Sequence, residues 1–170
     1  LSQIKPIMRP NTKIVIIGSA YNEAAHIIKS LENIKEGIIY LRQYHEFKDA
    51  FFHIILLDDA SSDQTYQKIL EWQSQAGLAV SSFRHERNVG AVYSTKEMYD
   101  YILNHCFNDD YIIKVDLDLD VNNKEAIQKL GRLIPLGFDA GVGIRVAQAD
   151  MTYFESIRRG DVIRILSNIA

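Results

Sequence analysis

The sequence has few of the features that mark secreted or membrane-spanning proteins. Its single cysteine, Cys106, excludes a disulfide within the chain and fits a reducing compartment. No apolar run approaches the roughly 20 residues that a membrane helix needs, and residues 1–13 lack the apolar core of a signal peptide. The formal net charge is −3 without a long basic stretch, which argues against nucleic acid as a partner. We therefore expect a cytoplasmic protein.

The chain does contain enough apolar material for one core. Of its 170 residues, 47% are hydrophobic, which suits a single globular domain. The chain begins without Met and ends inside an apolar pattern, RILSNIA, so we expect residues 1–170 to be one domain of a longer protein that continues into further segments. The overlapping stretch RRGDVIR predicts a solvated helix face, and a peripheral contact with the cytoplasmic face of a membrane stays open as the alternative.

Strand-like and helix-like segments alternate along the sequence. Largely apolar, β-branched runs predict five strands, at 13–20, 52–59, 78–85, 111–115 and 139–146. Apolar residues at helical spacing predict helices at about 22–44, 62–77, 91–106 and 124–134, with Gly37 as a possible break in the first. Ser62 or Asp63 is expected to cap the second helix, and Gly77 to end it. This alternation predicts a three-layer α/β/α fold around a mostly parallel sheet.

Polar residues lie at the carboxyl end of every predicted strand. The first strand ends in GSAYNE, the second in DDASSD, the fourth in DLDLD and the fifth in GIRV, and the third leads into RHERNVG. In an open parallel sheet, ligands bind beyond the carboxyl ends of the strands. We therefore expect a binding site at this rim of the sheet.

Three aspartates at alternate positions, Asp116, Asp118 and Asp120, suggest a metal site after the fourth strand. Two carboxylates about 5–6 Å apart repel each other by roughly 3 kcal/mol at an effective dielectric constant of about 20. Mg²⁺ or Mn²⁺ would offset this repulsion and leave positions open for substrate phosphates. A calcium EF-hand would need glycine and glutamate where the chain has Val121 and Ile127. A solvated turn stays open as the alternative.

The acidic pair Asp58 and Asp59 follows the second strand and is a candidate for nucleoside contact. Helix capping by Ser62 or Asp63 does not account for both acids. An acidic residue after the second strand of an α/β unit commonly binds ribose. One carboxylate of the pair is therefore expected to accept a hydrogen bond from a base or a ribose.

The stretch AYNE after the first strand has both a structural and a functional interpretation. Asn22 is a plausible cap of the first helix, with Glu23 favourable in the first turn. That leaves Tyr21 beside the expected pocket, where its ring could stack on a base.

Several other kinds of site are not supported. A Gly-x-Gly-x-x-Gly dinucleotide loop and a P-loop are both absent. No Ser-His-Asp or Cys-His set is suggested by spacing, and the five histidines are interpreted as surface or packing residues. A receiver domain would carry its acidic pair after the first strand, where this chain has GSAYNE.

Four motifs in register resemble those of a known family. The stretches IVIIGSAYNEAAHI, IILLDDASSDQT, RNVGAVYSTKE and YIIKVDLDLD are similar in order and spacing to the PxYNE, DDxSxD, N-x-G and DxD motifs of the family-two inverting glycosyltransferases of the GT-A fold. The similarity covers about residues 13–122. In addition, DLDL at 116–119 and GIR at 143–145 look like the polyprenyl-phosphate subgroup, of the dolichol-phosphate mannose synthase type.

The resemblance implies a nucleotide-sugar transferase in which one GT-A-like catalytic domain spans residues 1–170. A UDP- or GDP-linked sugar would be the donor, and a lipid phosphate or a glycan the acceptor. Asp116 and Asp118 would be the catalytic DxD pair that binds Mn²⁺ or Mg²⁺, and Arg145 would approach the diphosphate. The donor-binding residues implied are Ala20, Tyr21, Glu23, Asp58, Asp59, Asn88, Gly90, Asp116 and Arg145.

The chain also departs from the family pattern. Ser19 stands where the family usually has proline, and Ala60 where it often has glycine. No Glu-Asp pair follows Asp120, so the catalytic base is expected either to lie outside this chain or to be replaced. A polyprenyl phosphate acceptor is already an anion and needs little deprotonation. Two alternatives stay open: a nucleotidyltransferase, although GSAYNE has no basic residue, and a non-catalytic module that binds nucleotide sugars.

Overall fold

The computed structural model describes residues 12–105, 111–117, 123–136, 140–145 and 152–157. Four parallel strands form the main sheet in the order β3-β2-β1-β4: β1 Lys13–Ala20, β2 Phe51–Asp58, β3 Ala79–Arg84 and β4 Tyr111–Lys114. Four helices connect or follow them: α1 Ile27–Leu41, α2 Thr65–Gln75, α3 Ala91–His105 and α4 Asn123–Leu133. Short 3₁₀ turns lie at His45–Phe47 and Ile134–Leu136.

Two further strands, β5 Ala140–Arg145 and β6 Thr152–Ile157, form a separate antiparallel pair. The prediction that the fifth strand continues the parallel sheet is therefore wrong for the described residues. β5 pairs instead with β6, which begins only six residues later in the sequence, and antiparallel strands can be joined by short connections. The apolar pattern of β5 does not by itself show which strand it pairs with. Sequence analysis missed β6, although TYFESI is rich in β-branched and aromatic residues.

The sheet is covered on both faces, which confirms the three-layer α/β/α architecture. Along β1, Ile14 and Ile16 belong to the core beneath α1, α2 and α4, whereas Val15 and Ile17 belong to the core beneath α3. All four side chains are fully buried. Each buried side chain of this size contributes roughly 1.5–3 kcal/mol through the hydrophobic effect. The continuous apolar runs of β1 and β2 therefore reflect burial on two faces.

Glycine positions account for how some of the elements end and meet. Gly77 has a φ of 65° just after α2, which confirms the predicted helix end. Gly37 does not break the first helix: it lies inside α1, where a Cβ atom would be 2.9 Å from Cβ of Ile127 in α4. The glycine thus permits the close approach of α1 and α4. Among the helices that the structure describes, none is both long enough and apolar enough to cross a bilayer.

Candidate active site

The carboxyl ends of the four parallel strands bring the motif loops to one edge of the sheet. We call residues 21–26 loop 1, residues 59–64 loop 2, residues 85–90 loop 3 and residues 115–117 loop 4; they follow β1, β2, β3 and β4 in that order. Because β1 lies between β2 and β4, loop 1 lies between loops 2 and 4. The polar segments after the first four strands therefore meet at one edge of the sheet, as predicted. The binding site expected at this edge stays a prediction.

Loops 1 and 2 are joined through Asn22. Its backbone N–H donates to Oγ of Ser61 at 2.9 Å, and its Oδ1 accepts from the N–H of Ser62 at 2.9 Å. Asn22 has a φ of 57°, the left-handed region that asparagine tolerates better than most residues. The prediction that Asn22 caps the first helix is therefore wrong: α1 begins at Ile27, and Asn22 holds loop 2 instead.

A second set of hydrogen bonds joins loop 1 to the start of α2. The N–H of Glu23 donates to Oγ1 of Thr65 at 2.8 Å, and the N–H of Ala24 donates to Oδ2 of Asp63 at 3.0 Å. Asp63 Oδ1 also accepts from the N–H of Thr65 at 2.9 Å, but the N-cap of α2 is Gln64, so the prediction that Ser62 or Asp63 caps this helix is wrong. Burial would raise the pKa of Asp63, but hydrogen bonds from Thr65 and Ala24 outweigh burial and lower it.

Asp58 is fully buried and its described contacts lie within the protein. Its Oδ2 is 3.1 Å from Nε of Arg84 and accepts from the N–H of Ser61 at 3.2 Å. Arg84 also donates to the carbonyl oxygen of Ser61 at 2.8 Å. No residue that the structure describes donates to Oδ1 of Asp58. Asp58 thus fixes the course of loop 2, and its predicted contact with a ligand stays a prediction.

Asp59 anchors loop 3. Its Oδ1 accepts from the N–H of Val89 at 2.9 Å and its Oδ2 from the N–H of Gly90 at 2.8 Å, while Nδ2 of Asn88 donates to its carbonyl oxygen at 3.3 Å. Gly90 has a φ of 89°, which explains the glycine of the N-x-G motif. Burial would raise the pKa of Asp59, but the hydrogen bonds from His85, Val89 and Gly90 lower it below its usual value. Asp59 is therefore held as a carboxylate.

His85 is the residue that sequence analysis missed. Its Nδ1 lies 2.7 Å from Oδ1 of Asp59, and its Nε2 lies 2.9 Å from Oε2 of Glu97 in α3. The scattered positions of the five histidines predict surface or packing residues, and this pattern does not indicate the paired carboxylates at His85. The available signal was its position, directly after the third strand and therefore at the rim.

Two predicted site residues present exposed side chains at the rim. Tyr21 is 48% exposed, so its ring has a face available for stacking. Asp116 follows β4 with its side chain 57% exposed, and Nζ of Lys114 donates to its Oδ1. Buried Asn123 donates from Nδ2 to the carbonyl oxygen of Asp116 at 2.8 Å and so holds the backbone of loop 4.

Of the three aspartates predicted to bind a metal, Asp116 lies within the described residues. Asp118 and Asp120 lie outside the described residues, so the shared face of the three aspartates stays a prediction. Within the described ranges, no three His, Cys, Asp or Glu side chains converge as a metal cluster. An exposed carboxylate such as Asp116 suits Mg²⁺ or Mn²⁺, which commonly take one or two protein carboxylates and complete their shell with waters and phosphates.

Gly18 in β1 sets the position of loop 4. A Cβ atom on Gly18 would lie 2.9 Å from Cγ and 3.1 Å from both Cδ atoms of Leu117, which is buried beside Asp116. We expect Gly18→Ala to lower the free energy of unfolding by about 1–3 kcal/mol through overpacking. Urea denaturation would measure this change. In a double-mutant cycle with Leu117→Ala, the cost of Gly18→Ala should fall sharply, and an unchanged cost would contradict the contact.

The remaining predicted residues have simpler placements. Ala20 is buried at the end of β1, and its carbonyl oxygen accepts from the N–H of Asp59 at 2.9 Å. Ala60 has a φ of 58°, which accounts for the glycine that the resembled family often has there. Arg145 ends β5, opposite Thr152 of β6, and therefore does not follow a strand of the parallel sheet.

Comparison with solved structures identifies the class of fold. The mannosyltransferase PcManGT from Pyrobaculum calidifontis, in complex with GDP-Man and Mn²⁺, matches 82% of this chain and 35% of its own with a TM-score of 0.52 and 23% identity. S. aureus TarS 1–349 matches 82% of this chain and 40% of its own with a TM-score of 0.53 and 19% identity. The fold is therefore that of the GT-A glycosyltransferases.

Sequence comparison gives the family. The model of Glycosyl transferase family 2 matches residues 15–165, and the chain belongs to that family. An undecaprenyl-phosphate 4-deoxy-4-formamido-L-arabinose transferase of Serratia proteamaculans (strain 568) is 26% identical over 159 residues, which are 94% of this chain and 44% of the relative. The chain thus spans less than half the length of this relative. The family resemblance drawn from the four motifs is confirmed.

Proposed function

We propose that this chain binds a UDP- or GDP-linked sugar at the rim of its parallel sheet and forms the donor half of a sugar transferase. The observation that carries the proposal is the hydrogen-bonded attachment of loop 3 to Asp59, beside exposed Tyr21 in loop 1. Such an edge offers a fixed acceptor and an aromatic surface for a nucleoside. GDP-Man bound to the Pyrobaculum mannosyltransferase supports this class of donor.

In the proposed complex, the Tyr21 ring stacks on the base and Asp59 accepts a hydrogen bond from it. A carboxylate has about four acceptor positions. Three of these positions on Asp59 are occupied: His85 and Val89 donate to Oδ1, and Gly90 donates to Oδ2. Oδ2 can therefore accept one more hydrogen bond. Further donor contacts are proposed for the other residues of the motifs, namely Ala20, Glu23, Asp58, Asn88 and Gly90.

Asp116 and Asp118 are proposed to hold Mn²⁺ or Mg²⁺ against the donor diphosphate. When bound there, the cation would neutralise negative charge on the leaving group. The Mn²⁺ in the Pyrobaculum structure supports a divalent cation in this fold. Arg145 is proposed to add positive charge at the diphosphate.

The proposed acceptor is a polyprenyl phosphate, and the proposed transfer proceeds with inversion. An acceptor phosphate oxygen forms the new bond to the anomeric carbon from the face opposite the leaving group, and the electron pair of the broken bond goes to the nucleoside diphosphate. The acceptor is already an anion, so its attack needs little deprotonation by a catalytic base. The undecaprenyl-phosphate transferase of S. proteamaculans supports this acceptor, which would place the protein at the cytoplasmic face of a membrane.

The test is an assay of the full-length protein with UDP- and GDP-sugars, Mn²⁺ or Mg²⁺, and undecaprenyl phosphate. We expect release of the nucleoside diphosphate that depends on the lipid phosphate and is absent with the dephosphorylated lipid alcohol. NMR of the product should show the anomeric configuration opposite to that of the donor. Release of pyrophosphate would indicate a nucleotidyltransferase, and donor binding without turnover would indicate a non-catalytic module; either result would contradict the proposal.

A further inference from the structure

His85 lies between two carboxylates that come from different elements of the fold. Asp59 belongs to loop 2, and Glu97 belongs to α3. The two ring nitrogens are 2.7 Å from Asp59 Oδ1 and 2.9 Å from Glu97 Oε2. The His85 and Asp59 side chains are 12% and 4% exposed, whereas Glu97 is 67% exposed. The ring therefore connects the floor of the proposed nucleoside site to a helix on the other side of the sheet from α1.

The protonation state of His85 decides whether both contacts are hydrogen bonds. A neutral imidazole carries one N–H, whereas an imidazolium donates from both nitrogens. Burial would lower the pKa of His85, but the hydrogen bonds to Asp59 and Glu97 raise it above its ordinary value. Glu86 and Arg87, its neighbours in loop 3, are exposed, and the carboxylates of Asp59 and Glu97 are the charges that face the ring.

The contact with His85 also bears on which oxygen of Asp59 is available to a ligand. Oδ1 carries both the His85 and the Val89 hydrogen bond, and Oδ2 carries one, from Gly90. If the ring loses its bond to Oδ1, the carboxylate loses the one side-chain donor that fixes its rotation. Its only remaining described donors are then two backbone N–H groups of loop 3.

We propose, as an extension of the proposed function, that His85 is a positioning residue for nucleobase recognition. As an imidazolium it holds Asp59 in the orientation that leaves Oδ2 able to accept the imide N–H of uracil or the amide N–H of guanine. A neutral ring keeps its single N–H for buried Asp59 and gives up the bond to exposed Glu97, so the bond to Asp59 loses its charge and the ring loses its second anchor. Asp59 is then held less firmly, and the affinity for the nucleotide sugar falls. Affinity is therefore highest at pH values below the His85 pKa and falls as the pH rises through it.

The test combines two measurements on the full chain between about pH 5.5 and 8.5, the range in which histidine titrates. NMR of the ring nitrogens gives the His85 pKa without nucleotide, and calorimetry gives the dissociation constant for UDP- and GDP-sugars. A nucleotide sugar is a suitable probe because its doubly esterified diphosphate does not titrate in this range. We expect the wild-type affinity to fall about tenfold across the His85 titration, as for loss of one charge-assisted hydrogen bond.

Three variants separate positioning from a purely structural role. Glu97→Gln keeps an acceptor for Nε2 but removes the charge, so it should move both the His85 pKa and the inflection of the affinity to lower pH. Glu86→Gln removes one negative charge from the same loop and should move neither. His85→Gln carries an amide that does not titrate in this range, so its affinity profile should be flat.

Different results would overturn the role of His85 and the proposed nucleotide-sugar site. A wild-type affinity that is independent of pH, or an inflection that Glu97→Gln leaves in place, would overturn the role of His85 while nucleotide binding stands. Absence of binding to every UDP- and GDP-sugar at all pH values would overturn the proposed function, and the role of His85 with it.

Discussion

Asp116→Asn is expected to reduce sugar transfer by about 10²–10³-fold, the range seen when one group that stabilises developing charge is removed. Asn keeps the shape of the side chain but loses the charge that would hold the divalent cation. The Asp116 side chain is 57% exposed, and its backbone carbonyl is held by Asn123 independently of the carboxylate. Stability should therefore change by no more than about 0.5 kcal/mol. Steady-state kinetics and thermal unfolding of the same preparation would measure both effects.

Asp100→Asn is a matched control for this variant. The Asp100 side chain is 56% exposed and pairs with Lys96 at 3.0 Å, much as Asp116 pairs with Lys114, but it lies in α3 and not in loop 4, where the cation is proposed to bind. Transfer by Asp100→Asn should equal that of the wild type. Equal activity of Asp116→Asn and wild type would remove Asp116 from the metal site, and a large loss of stability would assign it a structural role.

Asp59→Asn is expected to lower the free energy of unfolding by about 2–4 kcal/mol and to weaken nucleotide binding. The carboxylate is 4% exposed and accepts from His85, Val89 and Gly90. An amide has one acceptor atom, so at least one of these donors would face an NH₂ group instead, and a buried donor without a partner is costly. Urea denaturation, read as the change in midpoint at constant slope, would measure the loss.

The pH dependence gives this prediction a second signature. The pKa of Asp59 is lower in the folded protein than its usual value. Its stabilising effect is therefore present above the unfolded-state pKa of about 3.9 and is lost as the pH falls through the folded-state pKa. The stability difference between wild type and Asp59→Asn should be full at neutral pH and shrink in acid.

Asp49→Asn provides the corresponding surface control. Asp49 is exposed, and its loss of charge should change stability by less than about 0.5 kcal/mol. If Asp59→Asn were as stable as this control, the hydrogen bonds of loop 3 to Asp59 would not contribute to folding, and the account of the rim would be wrong.

The sequence predicted those elements whose local residue pattern follows directly from burial or from backbone conformation. The doubly apolar runs of β1 and β2 are what a sheet covered on both faces requires, and Gly77 marks the end of α2 because its φ is positive. The strand assignments and the geometry of parallel sheets were enough to predict where the polar loops meet, and no side-chain contact had to be known. The position of β5 could not be predicted in the same way, because its apolar pattern does not show which strand it pairs with, and its partner is β6.

The contacts within the rim were not predictable, because they join residues far apart in sequence. Asn22 and Ser61 are 39 residues apart, and His85 and Asp59 are 26 apart. In the sequence, an asparagine before a helix predicts a cap, and only the closeness of loops 1 and 2 gives Asn22 a better partner. His85 likewise meets Asp59 only when β2 pairs with β3, and Glu97 only when α3 packs against the sheet.

The most direct test of the proposed nucleotide-sugar site is thermal unfolding of the full chain with UDP-, GDP-, CMP- and dTDP-linked sugars, each with Mn²⁺ or with a chelator. We expect a UDP or GDP sugar to stabilise the protein only when the cation is present. The expected gain is about 2.7 kcal/mol when the sugar nucleotide is in hundredfold excess over its own dissociation constant. No stabilisation by any of these ligands, with or without the cation, would contradict a donor site at the rim.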